Sequence, residues 1–120
     1  MNYWIIPCNI NKYQVFDSFK NLKRLNWKQS TNKKVGDIVY IYTSRPYSEM
    51  THKCRVLEVD VKNVYINDEG YVIDGKSYKN HGRYMTLELI ENIRGISLKW
   101  LNNNNVLGNI QGPRKIDFEI

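Results

Sequence analysis

Hydrophobic and polar residues follow two different periods along this chain, and the points where the period changes mark its elements. Tyr3 to Cys8 is an almost wholly apolar run, the pattern of a short strand buried on both faces. Beyond it, Asn11 reads as an N-cap. Val15, Phe16, Phe19 and Leu22 then recur at offsets that put them on one stripe, predicting a helix to about Lys23. Asn26 to Lys34 is polar except for Trp27 and reads as a loop. Gly36-Asp37 forms a turn into Ile38–Thr43, a β-branched and aromatic strand with Val39 and Ile41 on one face and Tyr40 and Tyr42 on the other. Pro46 has no amide proton for a ladder and ends it.

In the second half, Lys53 to Val61 reads as a strand with a slipped phase. Leu57, Val59 and Val61 alternate with Glu58 and Asp60, whereas Cys54 and Val56 fall on the opposite parity, as at a β-bulge. Val64–Ile66 and Tyr71–Ile73 flank Asn67-Asp68-Glu69-Gly70, the pattern of a hairpin. Asp74 to Arg83 reads as a loop, and Tyr84 to Glu91 as a strand with Met85, Leu87 and Leu89 inward. Ser97 caps a short helix carrying Leu98, Trp100 and Leu101, which frays into the asparagines at 102–105. A last strand follows the loop from Gly108 to Ile116. Five or six short, bent strands with two or three short helices predict an α+β domain built on a small, partly closed β-barrel.

At 120 residues there is room for one domain, spanning 1–120. Nine Tyr, three Trp and three Phe give it enough apolar surface for a core. No window has the length of apolar chain that crosses a bilayer, and the first residues lack the basic flank and apolar core of a secretory signal, so a cytoplasmic location is expected. Cys8, Cys54, His52 and His81 fall in no metal-ligand spacing and read as two small buried cysteines and two surface or loop histidines. Neither metal nor cofactor is expected.

Charge changes the picture more. The formal net charge is +6, and between Lys20 and Lys34 there are six basic residues (Lys20, Lys23, Arg24, Lys28, Lys33 and Lys34) with no acid among them. Such a run is either a solvated face or a phosphate-binding one. Three features favour the second: the missing acids, the bracketed Trp27, and Arg45, Arg114 and Lys115 at other loop ends. Catalytic patterns are thin. The chain has no nucleophile elbow, no phosphate-binding glycine loop and no dinucleotide fingerprint, and Asp60-Val61-Lys62 lacks the second carboxylate a metal-dependent nuclease needs. A non-enzymatic protein is expected.

Tyr3-Trp4-Ile5-Ile6, the helix after it, Trp27, the run Val35-Gly36-Asp37-Ile38-Val39-Tyr40-Ile41-Tyr42 with Ser44, and the closing Gly108 to Lys115 together resemble the EVE domain, a branch of the PUA-like β-barrels related to YTH readers of methylated adenine. The tail is similar to EVE modules at the N-terminus of bacterial modification-dependent restriction proteins. The resemblance implies a non-catalytic module in a defence setting that flips a modified base into an aromatic and polar pocket, modified cytosine in DNA ahead of modified RNA, with a fused or associated nuclease as partner. It assigns the pocket to Asn9, Trp27, Tyr42, Ser44, Tyr47 and Gln111, and the nucleic-acid backbone to Lys28, Lys33, Lys34, Arg45, Arg114 and Lys115. Tyr65 to Arg83 carries no motif of the family. Around Gly36-Asp37 the chain also resembles the ASCH branch, which includes small amidohydrolases acting on acylated cytidine, but the G-x-K-x-x-E-x-R pattern of that branch is missing.

Overall fold

The computed structural model describes residues 1–73 and 82–120. In chain order the elements are strand β1 (Tyr3–Cys8), helix α1 (Val15–Leu22), strands β2 (Arg24–Lys28), β3 (Ile38–Thr43) and β4 (Glu49–Val61), a 3-10 turn (Glu69–Tyr71), strand β5 (Tyr84–Ser97), helix α2 (Leu98–Asn103) and strand β6 (Arg114–Ile116). All six strands belong to one sheet in the order β2-β5-β4-β3-β1-β6. Only β1 and β3 run parallel, with Tyr3 beside Ile38 and Cys8 beside Thr43, so both strands end at the same edge of the sheet.

The sheet curls without closing. Ile6 and Cys8 of β1 share one apolar core with Leu25 of β2, although three strands lie between these two in the sheet order. Among the described residues no ladder joins β2 to β1 or β6, so the expected partly closed barrel is an open sheet curled around its contents. The curl is built into β4 and β5, whose pairing shifts register four times between Met50 and Val61. The slipped phase of Leu57, Val59 and Val61 against Cys54 and Val56 has this cause. Val15 and Phe19 of α1 plug the inside, with Val39, Ile41, Cys54, Val56, Met85 and Leu87. On the outer face Ile5, Ile38, Tyr40 and Tyr42 are covered by Leu101 of α2 and by Val106, Ile110 and Ile116. With neighbours on both sides, every residue of β3 is buried, and Val39 and Ile41 do face opposite to Tyr40 and Tyr42.

Three expectations need correction. The helix starts at Val15, not after Asn11, because the Asn9 side chain accepts the Asn11 amide (2.9 Å) and residues 9–13 turn instead. It ends at Lys23, whose left-handed φ of 53° lets its amide reach the Phe19 carbonyl. Trp27 lies on a strand and not in a loop. Leu25 and Trp27 supply a period-2 alternation, and β2 pairs with β5 from Arg24–Glu88 to Lys28–Tyr84. The hairpin expected at 64–73 does not form. The Tyr65 and Ile66 amides both donate to Oδ1 of the buried Asn26 (2.8 Å each), while Val72 bridges to Tyr13. With their donors taken by β2 and the 9–13 turn, the two arms have no ladder to make. β4 begins at Glu49 instead of Lys53 and β5 runs on to Ser97 instead of stopping at Glu91, while residues 74–81 of the expected loop lie outside the described residues. Gly36 takes φ +93° in the turn before β3, and Ser97 accepts the Trp100 amide at the start of α2. No helix among the described residues is long and apolar enough to cross a membrane.

Candidate functional site

Because β1 and β3 are parallel, their C-terminal ends deliver Pro7, Cys8, Asn9, Tyr42 and Ser44 to one place. The curl of the sheet brings Trp27 and Lys28 of β2 opposite them. The 9–13 turn adds Lys12 and Tyr13, the segment after β4 adds Asp68 and Val72, and the tail adds Ile110 and Gln111. Together they enclose a cavity of about 470 Å³, within the roughly 300–1,000 Å³ range of pockets that hold small molecules.

Its walls are fixed by contacts that can be traced one at a time. Tyr13 and Trp27 meet edge to face, their ring centroids 5.6 Å apart. The Tyr13 hydroxyl donates to Oδ2 of Asp68 (2.7 Å), a carboxylate only 3% exposed. Asp68 is carried by the segment that Asn26 holds through Tyr65 and Ile66, and the same Asn26 donates to Thr86 Oγ1 (3.0 Å). Ser44 Oγ accepts the Ile10 amide (3.0 Å), which ties the end of β3 to the turn after β1. Burial pushes the Cys8 thiol up to about 12, so it stays protonated and is no nucleophile at neutral pH.

Of the six residues that the family resemblance assigned to a pocket, Asn9, Trp27, Tyr42, Ser44 and Gln111 line this cavity. Tyr47 does not. It stacks obliquely on Phe16 of α1, at 4.7 Å between centroids. The six cations divide further. Lys28 lines the cavity and Arg45 follows Ser44 on the exposed turn. Lys34 precedes β3, whose far end forms the cavity wall, and Arg114 and Lys115 line a separate depression with Met1, Asn2 and Tyr3.

Lys33 corrects the surface role expected of it. It is 4% exposed, with Nζ 2.6 Å from Thr31 Oγ1 and 4.6 Å from the centre of the Trp4 ring. Burial lowers it to about 8, against the opposing pull of Asp37. Asp37 is itself raised by burial, but the Asn2 and Lys34 amides and the Trp4 indole donate to it and hold it below the ordinary carboxylate range.

His52, expected on the surface or in a loop, is buried on β4 in contact with the rings of Phe16 and Phe19, and burial lowers it to about 4. Cys54 is fully buried in the inner core, where burial raises its thiol. His81 lies outside the described residues. Among those that are described, no three His, Cys, Asp or Glu side chains are grouped to hold a metal ion.

Lys12, Tyr13 and Asp68 are the polar wall residues that the sequence did not yield. Tyr13 was placed inside a helix and Asp68 in a hairpin turn. The one available signal was Asn9-Ile10-Asn11, a pattern in which a side-chain amide caps a turn in place of a helix.

No protein-family model matches the sequence, and no curated protein matches it. Solved structures do. An ASCH protein from Zymomonas mobilis superposes with a TM-score of 0.64 at 13% identity, covering 96% of this chain and 87% of its own. Protein Atu2648 from Agrobacterium tumefaciens gives 0.65 at 14%, covering 98% and 86%. Protein PSPTO5229 from Pseudomonas syringae gives 0.66 at 13%, covering 96% and 91%. At these identities the likeness is one of fold. Over nearly its whole length the chain has the fold of these structures, the ASCH protein among them.

Proposed function

We propose that this PUA-like domain is a non-catalytic reader of a modified base, taking a flipped base, modified cytosine in DNA, into the cavity at the ends of β1 and β3. The observation that carries the reading is the convergence there of Trp27, Tyr13 and Tyr42 with the side chains of Asn9, Ser44 and Gln111, and with Lys12 and Lys28. Extruding a base costs a few kcal/mol of lost stacking. An aromatic platform returns about 1–3 kcal/mol per base, and hydrogen bonds to the pairing edge return more. A methyl group filling an apolar niche adds about 0.8 kcal/mol, so discrimination by the niche alone is modest. Lys12 and Lys28 supply cations to the flanking phosphates. An EVE-type assignment, a restriction partner and a defence role belong to the same proposal and rest on the sequence resemblance.

The test is fluorescence anisotropy at physiological salt, with a duplex carrying one 5-methyl- or 5-hydroxymethylcytosine and its unmodified twin as competitor. A preference of tenfold or more, lost in Trp27→Ala, is expected. Equal affinity for the two duplexes would refute base reading, and tighter binding to the matching RNA would move the target to RNA. A second reading is favoured by the presence of Lys12, Lys28 and Asp68 in one cavity within an ASCH-like fold. It is hydrolysis of an acylated nucleoside, and turnover of an acylcytidine by the purified protein would put it first.

A further inference from the structure

The cavity is larger than a methylated base would fill. In matter packed as densely as a protein interior each non-hydrogen atom takes roughly 17 Å³, so the cavity volume of about 470 Å³ holds on the order of 28 such atoms. 5-Methylcytosine has only about 17, even with its deoxyribose counted inside, and takes up about 290 Å³. The remaining space, about 180 Å³, matches a substituent of about ten non-hydrogen atoms. The wall around the cavity also has a distinct chemistry. Asn9 and Ser44 stand opposite Trp27 and Lys28, and Gln111 joins them from the tail. Ser44 Oγ and Asn9 Oδ1 each accept one backbone amide (3.0 and 2.9 Å), which leaves both side chains able to donate and to accept again. Gln111 also carries a donor and an acceptor. Groups that keep both senses suit a partner that has both, and a hydroxyl is such a partner. A hydrocarbon substituent would leave them unpaired.

We propose that the base read in this cavity carries a large hydroxylated substituent, a glycosyl group, with the base on Trp27 and the sugar among Asn9, Ser44 and Gln111. This rests on the base-reading role proposed above and names the modification. A hexose attached through a hydroxymethyl group adds about twelve non-hydrogen atoms to the methylated base, bringing the guest to about 490 Å³, close to the volume available. A polar space left open by a smaller guest holds water. Hydroxyls of the sugar take over the hydrogen bonds of those waters and release them. A methylated base leaves the waters in place and gains only the contact of its methyl group. The upper limit on the substituent is set by the apolar side chains of the wall, Val72 among them.

Three duplexes that differ at one central base decide the matter by fluorescence anisotropy at physiological salt. The bases are cytosine, 5-methylcytosine and β-glucosyl-5-hydroxymethylcytosine. The wild-type protein should prefer the glucosylated duplex to the methylated one by tenfold or more. Two variants locate the preference. Val72→Phe narrows the cavity, and Gln111→Leu removes a polar group at similar size from an exposed position. Each should lower the glucosyl-over-methyl ratio by fivefold or more. The ratio is the readout, so a general weakening of binding leaves it unmoved. If the methylated duplex binds as tightly as the glucosylated one and both outbind plain cytosine, the glycosyl assignment is overturned and base reading stands. A glucosyl preference that neither variant moves places the sugar outside this cavity and overturns the assignment too. Equal affinity for all three duplexes, or binding to none, overturns both readings. The wild-type ratio and Gln111→Leu keep the test intact even if Val72→Phe fails to fold.

Discussion

Replacing His52 with glutamine should change how stability depends on pH more than stability itself. His52 is 1% exposed, its Nδ1 2.7 Å from Thr51 Oγ1, which in turn lies 2.6 Å from Thr43 Oγ1. The ring centroids of Phe16 and Phe19 each lie 5.1 Å from that of His52. Desolvation lowers the imidazole from its ordinary 6.5 to about 4 in the folded protein. Above pH 6.5 the ring is neutral in both folded and unfolded chains and the difference has no effect. As pH falls below 6.5 the unfolded chain takes up a proton that the folded one refuses, and stability drops by about 1.36 kcal/mol per pH unit. The loss stops near pH 4, where the folded protein protonates too. Over that window the total is about 3 kcal/mol, a large share of the roughly 5–15 kcal/mol that holds a domain together. His52→Gln stays neutral throughout. Urea denaturation of both proteins at pH 7.5 and pH 4.5 should show the wild type losing about 2.5 kcal/mol more than the variant, after the shared contribution of the carboxylates cancels. Parallel losses in the two proteins would refute the reasoning. They would mean that the imidazolium is accommodated against the phenyl rings, cation–π attraction offsetting the lost hydration.

Lys33 gives a second pH signature, on the alkaline side. With its ammonium lowered from 10.5 to about 8, charging it in the folded state is unfavourable, and this penalty is complete below pH 8 and fades as pH rises to 10.5. Lys33→Met should stabilise the protein more at pH 7 than at pH 9.5, by about 2 kcal/mol, in denaturation at the two pH values. Asn26→Ala removes the acceptor of the Tyr65 and Ile66 amides and should cost about 2–3 kcal/mol. Hydrogen exchange at those two amides should accelerate ahead of the core strands, and unchanged exchange would show that the clamp carries no load. Lys12→Gln and Lys28→Gln should each flatten the salt dependence of nucleic-acid affinity by about one unit of slope, while Lys33→Met leaves the slope as it was. Equal slopes in all three variants would remove both cavity lysines from phosphate contact.

What the sequence disclosed, and what it hid, follows the range of the interactions. Val39, Ile41, Tyr40 and Tyr42 announce their faces because a strand with a neighbour on both sides is governed by its own alternation. Ser97 announces α2 because a cap is a three-residue event. β2 stayed hidden because its buried polar residue, Asn26, is satisfied by Tyr65, Ile66 and Thr86, about 40 to 60 residues away. A local reading of such a residue finds only a loop. The 64–73 segment misled for the reciprocal reason, its amides being promised to Asn26. Much of the cavity was legible all the same. Asn9, Ser44 and Tyr42 were assigned through the family resemblance, and the parallel pairing of β1 with β3, which the sequence did not disclose, is what brings these strand ends together. Asp68 and Tyr13 meet across 55 positions through one hydrogen bond, which no pattern within either segment encodes. Lys33 shows the limit of counting charge, since its neighbours Lys28 and Lys34 are exposed and it is not.

The open seam between β2 and β1 gives the cavity a mechanical property of its own. A closed ring of strands has a circumference set by its ladders, and widening it means breaking backbone hydrogen bonds in register. Here, among the described residues, no strand ladder spans the gap: Trp27 meets Tyr13, Asp68 is held to Tyr13, and a single isolated bridge joins Tyr13 to Val72. The aperture is therefore held by the Tyr13 and Trp27 side chains and one short bridge instead of a continuous ladder, and a guest lodged in the seam would be gripped like a shim in a split collar. A substitution at Tyr13 or Trp27 could resize the opening for a bulkier base while the ladders of the sheet kept their register. That separates the part of the domain free to vary its guest from the part that must stay constant to fold.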